Sequence, residues 1–248
     1  MTRQIKTPVR LSAVVLASLL LCGSLAHSAE GGPSVEKKNA QAHIDHVILG
    51  AADLDQAVEA FERLTGVRPA YGGKHPRGTH NALVSLGGRT YLEIIAVQPG
   101  ASKPPLLPDL SGFDKLAPIG WAVSADDGEA LRKSLAAAGF QLSGSNEGSR
   151  TTPSGATLRW QTFGLTREFE EAPFFILWSP ETPHPSTTSP SGCTLQRWAI
   201  AGPRFDETEL LRKTLALPIE AAKGQTVSFT LALDCPKGRI VFEPATRR

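Results

Sequence analysis

Cysteine is scarce in this chain, with three in 248 residues, and no two of them are spaced as CxxC. That spacing argues against a zinc knuckle. No dense basic run occurs after the first dozen residues, so nucleic-acid binding has no electrostatic support. There is no GxSxG nucleophile elbow, no phosphate-cradling P-loop and no GxGxxG dinucleotide fingerprint, which leaves covalent hydrolysis and a nucleotide cofactor without a motif. The one long apolar run, LSAVVLASLLL, is too short for a permanent membrane span, so the mature protein is expected to have none.

That run has a different reading. It follows the basic stretch MTRQIKTPVR and precedes the small-residue stretch CGSLAHSAE, the three-part layout of a secretory signal peptide over residues 1–28. Cleavage after Ala26, Ser28 or Ala29 fits the small-residue rule, and Leu21 before Cys22 is too large for a lipoprotein signal. The protein is therefore expected to be exported, periplasmic or secreted. Residues 29–42 read as a disordered lead-in. Removing the leader takes away Arg3, Lys6 and Arg10 and no acid, so a formal charge of +2 becomes −1. Cys193 and Cys235 remain, and in an exported protein they are either a disulfide or free buried thiols.

The mature chain repeats. A strand beginning at Ile44 (IDHVILGAADLDQAVEAF) matches one at Ile119 (IGWAVSADDGEALRKSL) and, more loosely, one at Leu195 (LQRWAIAGPRFDETELLRKTL), at spacings of 75 and 76 residues. In each copy an acidic residue opens a helix: Asp53 with Gln56, Asp126 with Glu129, Asp206 with Glu209, all in capping-box spacing. Further strands follow each helix, and the glycine frames of GTHNALVSLG and SGATLRWQTFG align without a gap. The expected fold class is α+β, built of repeated βαβββ units.

The words IDHVILGAADLDQAVEAF, HPRGTHNALVSLG, YLEIIAVQP, GWAVSADD, LRW, and FFILW followed by PHP resemble the vicinal oxygen chelate superfamily, and within it the glyoxalase-like group. The resemblance covers residues 43 to 185 well and the last unit in outline. It implies a glyoxalase-like domain over 43–190 made of two units, then a third, divergent unit over 191–248. It also implies an open mixed-sheet bowl with helices outside, and a small-molecule ligand within. Chemistry in such bowls ranges from metal-assisted isomerases, lyases and dioxygenases to inert drug-binding proteins, so the fold alone does not choose.

Strand alternation sorts candidate residues by face. It predicts Arg159 and Gln161 toward the bowl and Leu158 and Trp160 toward the helices, and by the gapless match His80, Ala82 and Val84 toward the bowl. Tyr91, Glu93 and Ile95 follow, with Leu92 and Ile94 outside. A tight turn at Gly87 and Gly88 would set Ala82 opposite Glu93.

In the superfamily's sheet order His46 falls beside Glu93. His46, Glu93 and His80 are then the expected ligands of a divalent metal (iron, zinc or manganese), with Glu93 also the expected proton carrier. In metal-dependent relatives the second unit contributes ligands too, and here the matching positions are Trp121 and Phe175, which cannot ligate. The other reading makes His46 and Glu93 a buried pair that satisfies both groups. Arg159 is then a core ion pair or an anion binder, and Trp121 and Phe175 are core or a stacking wall. Two further expectations attach to the last unit: Cys193 and Cys235 starting on the same side of parallel neighbours, and a homodimer through that unit.

Overall fold

In the computed structural model the described residues are 41–244, apart from 106, 114 and 168. The leader and nearly all of the lead-in lie outside them, and no helix among the described residues is long and apolar enough to cross a membrane.

Three units follow one another. The first is β1 (Ala42–Gly50), α1 (Leu54–Thr65), β2 (Ala70–Lys74), β3 (Thr79–Ser85) and β4 (Tyr91–Val97). The second is β5 (Ala117–Ala125), α2 (Gly128–Ala137), β6 (Asn146–Thr151), β7 (Thr157–Phe163) and β8 (Phe174–Trp178). A connector bearing the short helix α3 (Pro185–Thr188) leads to the third: β9 (Thr194–Gly202), α4 (Phe205–Leu215), β10 (Glu220–Lys223), β11 (Ser228–Cys235) and β12 (Gly238–Phe242).

Helix α1 starts and stops where its sequence says it should. The Asp53 carboxylate accepts the Gln56 backbone N–H at 2.9 Å, and Gly66 closes the helix at φ 82°, in the left-handed region that glycine enters without strain. Leu54, Ala57, Val58, Phe61 and Thr65 form its buried stripe. Helix α2 is capped by Asp127, one residue after the expected Asp126. Helix α4 has no side-chain cap of its own. The donor is satisfied from the second unit, where the buried Glu171 carboxylate accepts the Arg204 backbone N–H at 2.9 Å. Gly202 makes room for it, since a Cβ there would run into the Glu171 carboxylate.

The first two units form one eight-stranded sheet in the order β2-β3-β4-β1-β5-β8-β7-β6, with β1 parallel to β4, β5 parallel to β8, and β1 antiparallel to β5 at the join. The sheet curls until its edge strands β2 and β6 meet, and there the Arg150 guanidinium donates to the Gly72 carbonyl. The third unit keeps the element order but not the strand order. Its separate sheet runs β10-β9-β11-β12, with β9 parallel to β10 and antiparallel to β11. First and last strands are therefore not neighbours, contrary to the order the resemblance implied. Cys193 and Cys235 instead meet across the β9/β11 ladder, whose last pair is Thr194 with Asp234, and form a disulfide with Cα atoms 4.2 Å apart.

This second sheet lies on the outside of the bowl. Trp198 and Phe229 stack at 5.3 Å, Trp198 meets Trp121 at 6.4 Å, and Phe242 stacks on Phe61 at 5.9 Å. The outer faces of β1, β4 and β5 are thus sealed by α1, α2 and the third unit together.

Candidate functional site in the bowl

Two local irregularities decide which side chains point inward. The first is a bulge in β1, where Ile44 pairs with Val123 and His46 with Ala122, leaving Asp45 as the extra residue. Asp45 and His46 are consecutive, yet both end up inside and buried.

The second is the turn between β3 and β4. Leu86 and Thr90 close it (N–H to O, 3.0 Å), so three residues, Gly87, Gly88 and Arg89, make the turn rather than two. One added residue slips the register by one, placing Leu83 opposite Glu93 and Asn81 opposite Ile95. The inward face of β3 is therefore the Asn81 face. His80 is half-buried on the outside, with its ring 6.3 Å from Tyr71 and Asp53, Asp55 and Lys74 as its nearest charges, and it does not join His46 and Glu93. Ala82 and Val84 are core.

The gapless match between β3 and β7 carries the same inversion across. Trp160 faces inward, its ring 5.3 Å from Trp178 and 6.5 Å from His75, while Arg159 and Gln161 are exposed on the other face, Gln161 bonded to Glu147. In β5 and β8 the inward residues are Ala122 and Phe174, paired in register. Trp121 and Phe175 point outward, Trp121 donating its indole N–H to the Glu171 carbonyl and Phe175 stacking on Phe163 at 4.8 Å. Strand β5 has its own extra residue at Ile119, not one matching Asp45, and Trp121 pairs with Val47 while His46 pairs with Ala122, so the residue that matches His46 by counting lands on the opposite face.

What the bowl gathers is a chain of polar groups. His46 Nδ1 lies 2.6 Å from Asp45 Oδ1, and its ring stacks on Tyr91 at 4.6 Å and meets the edge of Phe174 at 5.3 Å. His46 Nε2 faces Glu93 Oε2 at 3.7 Å, beyond hydrogen-bonding distance. The other Glu93 oxygen accepts from Asn81 Nδ2 at 2.7 Å, and Asn81 Oδ1 is buried without a partner. On the far side, Asp45 Oδ2 accepts the Trp178 indole N–H at 2.9 Å and lies 3.0 Å from His184 Nε2, which arrives from the connector.

Burial alone would raise the Asp45 carboxyl, but the hydrogen bonds from His184 and His46 outweigh it and hold the group down at about 2. Burial raises the Tyr91 hydroxyl well above its usual range and lowers His75. Arg150 is also brought down by burial, with Glu93 the largest opposing influence. An open groove of about 410 Å³ over the β2/β6 seam, lined by Tyr71, Lys74, Pro76 and Arg150 among others, leads to that guanidinium.

A divalent metal does not fit this donor set. Among the described residues no group of three histidine, cysteine or acidic side chains is placed to hold one, and the second-unit positions facing His46 carry Ala122 and Phe174. Sequence reasoning reached His46, Tyr91 and Glu93. It missed Asp45, Asn81, Arg150, Trp160, Trp178 and His184; the PHP word carried His184, but nothing in it indicated Asp45 as its partner.

Comparison with known proteins agrees with the architecture. The glyoxalase-like domain model matches residues 44–215, taking in both bowl units and running to the end of α4. No curated protein sequence matches the chain. Among solved structures, a hypothetical protein from Staphylococcus aureus shares 15% identity over 82% of this chain and 86% of its own, with a TM-score of 0.55. Methylmalonyl-CoA epimerase from Mycobacterium tuberculosis matches at 18% identity over 55% of this chain and 87% of its own, TM-score 0.38. A variant of 4-hydroxymandelate synthase from Streptomyces coelicolor matches at 13% over 83% of this chain and 63% of its own, TM-score 0.43. At so low an identity the first of these speaks to fold and not to activity. With more than half of its length matched by the family model and its paired βαβββ units closing one curved sheet, the chain belongs to the glyoxalase-like family of the vicinal oxygen chelate superfamily.

Proposed function

We propose that this is an exported protein that binds a small, oxygen-rich or anionic molecule in the bowl, and that Glu93 and His46 handle a proton on it. The observation that carries the reading is His46 Nε2 facing Glu93 Oε2 at 3.7 Å between aromatic rings. Arg150 supplies the positive charge that suits an anionic ligand, and its guanidinium geometry suits a carboxylate or enolate. The unpartnered Asn81 Oδ1 adds an acceptor for a ligand hydroxyl. Glu93, held through its other oxygen by Asn81, is the group placed to take a proton from carbon next to a carbonyl.

The Trp160 and Trp178 rings favour a second reading, binding without turnover, in which they grip the ligand's apolar part. Export is supported by the leader-like N-terminus and by the Cys193–Cys235 pairing.

The test is calorimetry with pyruvate, glycolate and catechol as probes, followed by proton NMR of the bound probe in deuterated buffer. Binding together with deuterium uptake at the carbon beside the pyruvate carbonyl, lost in Glu93→Gln while binding persists, is the expected result. Binding without uptake selects the second reading, and no binding by any of the three overturns both.

A further inference from the structure

We infer that Asp45 is a positioning residue for His46: it fixes the imidazole hydrogen on Nδ1 and leaves Nε2 as a bare lone pair aimed at Glu93. The assignment follows from a chain of donors that begins outside the bowl. Ser186 meets His184 Nδ1 twice, its backbone N–H donating at 3.2 Å and its Oγ lying 2.8 Å away, and a nitrogen that accepts the N–H carries no hydrogen and takes the hydroxyl hydrogen as well. Neutral His184 therefore holds its hydrogen on Nε2, which donates to Asp45 Oδ2 at 3.0 Å. The Trp178 indole, a donor only, bonds to the same oxygen at 2.9 Å. With Oδ2 occupied by two donors and the carboxylate ionised, Oδ1 has no hydrogen to give. The 2.6 Å contact with His46 Nδ1 is consequently a donation from the ring.

The β1 bulge makes this possible, since in a regular strand Asp45 would point to the opposite side from His46. The ring is held on its faces as well, stacked on Tyr91 and met by Phe174.

With the His46 ring neutral, its Nε2 and Glu93 Oε2 are two acceptors facing each other at 3.7 Å. A ligand group that brings a hydrogen, a hydroxyl or an acidic C–H, is what the pair receives. This last step rests on the proton-handling reading given above; the tautomer itself does not. The arrangement follows the logic of a carboxylate orienting a histidine base, with the second histidine and the tryptophan orienting the carboxylate in turn.

The experiment is a long-range proton–nitrogen correlation spectrum of the ¹⁵N-labelled, ligand-free full chain, in neutral buffer with chelator. Expected are His46 with hydrogen on Nδ1 and an unprotonated Nε2, and His184 with the reverse pattern. In Asp45→Asn the His46 ring is expected to lose its single tautomer. A wild-type His46 with hydrogen on Nε2, or one averaging between tautomers, overturns the proposal, and so does a tautomer unchanged in a folded Asp45→Asn. If that variant does not fold, the wild-type spectrum still decides. Failure of deuterium uptake with the Nδ1–H signature intact would overturn the proton-handling reading and leave the positioning role standing.

Discussion

Asp45 and His184 are 139 residues apart in the chain and 3.0 Å apart in the fold. The contact ties the connector between the second and third units to the floor of the bowl, and the α3 segment adds to it: Ser85 Oγ donates to the Ser186 carbonyl at 2.6 Å, and the Ser85 backbone N–H donates to the Pro190 carbonyl at 2.8 Å. The Asp45 carboxyl sits at about 2, below its ordinary value of 3.8, so its ionised form stabilises the fold. That contribution is complete above about pH 5, fades as pH falls toward 2, and amounts to roughly 2 kcal/mol. Urea denaturation of the wild type and Asp45→Asn from pH 6 to pH 2 is expected to show a gap that closes across this window. A gap independent of pH would contradict the assignment.

Glu171→Ala is expected to lower stability by about 1–2 kcal/mol, because it removes the acceptor at the start of α4 and leaves the Arg204 N–H without one. Glu171→Gln keeps an acceptor oxygen and should recover most of the loss. Thermal unfolding of the three proteins side by side checks the order.

Breaking the disulfide by Cys193→Ser with Cys235→Ser opens a cross-link between residues 42 apart in sequence. Chain entropy puts the loss at about 4 kcal/mol as an upper figure. Hydrogen exchange should quicken first in β9 and β11, where the bond joins the strands, and last in β1 and β4.

Gly148 has no room for a side chain, since a Cβ would press into the Trp160 indole. Gly148→Ala should therefore move the ring, cost about 1–3 kcal/mol through overpacking, and change the tryptophan fluorescence. An unchanged emission spectrum with full stability would mean that Trp160 is not held where the structure has it.

The repeat, the alternation of helices and strands and both ends of α1 were legible in the sequence because each depends on local chemistry, such as the Asp53 cap or the Gly66 stop. The other two starts were not, since α2 is capped by Asp127 rather than Asp126, and Asp206 lies inside α4, which follows Arg204 without a side-chain cap. The faces were legible in β4, where Leu92, Ile94 and Ala96 are core and Tyr91 and Glu93 are inside, because that strand is regular. They were misread in β3 and β7. Alternation states only that two faces exist; the choice between them came from the polarity of β7 and passed to β3 by the gapless match, and a turn of three residues where two were expected left the β3 register agreeing with it. Polar character misled. In β7 the polar side, Arg159 and Gln161, is the solvent side, whereas the bowl side carries Trp160. The third unit's strand order was not legible at all, since a βαβββ string is compatible with more than one sheet.

The sheet that covers Trp121 is built from the end of the chain. As the polypeptide is synthesised, both bowl units are complete before β11 and β12 exist, and for that interval the outer wall around Trp121 and Phe61 has no cover from the third unit. The bowl therefore reaches its finished state only when the last strands arrive, and a ribosome-bound or prematurely ended chain would present a broad apolar surface to chaperones and to its own neighbours.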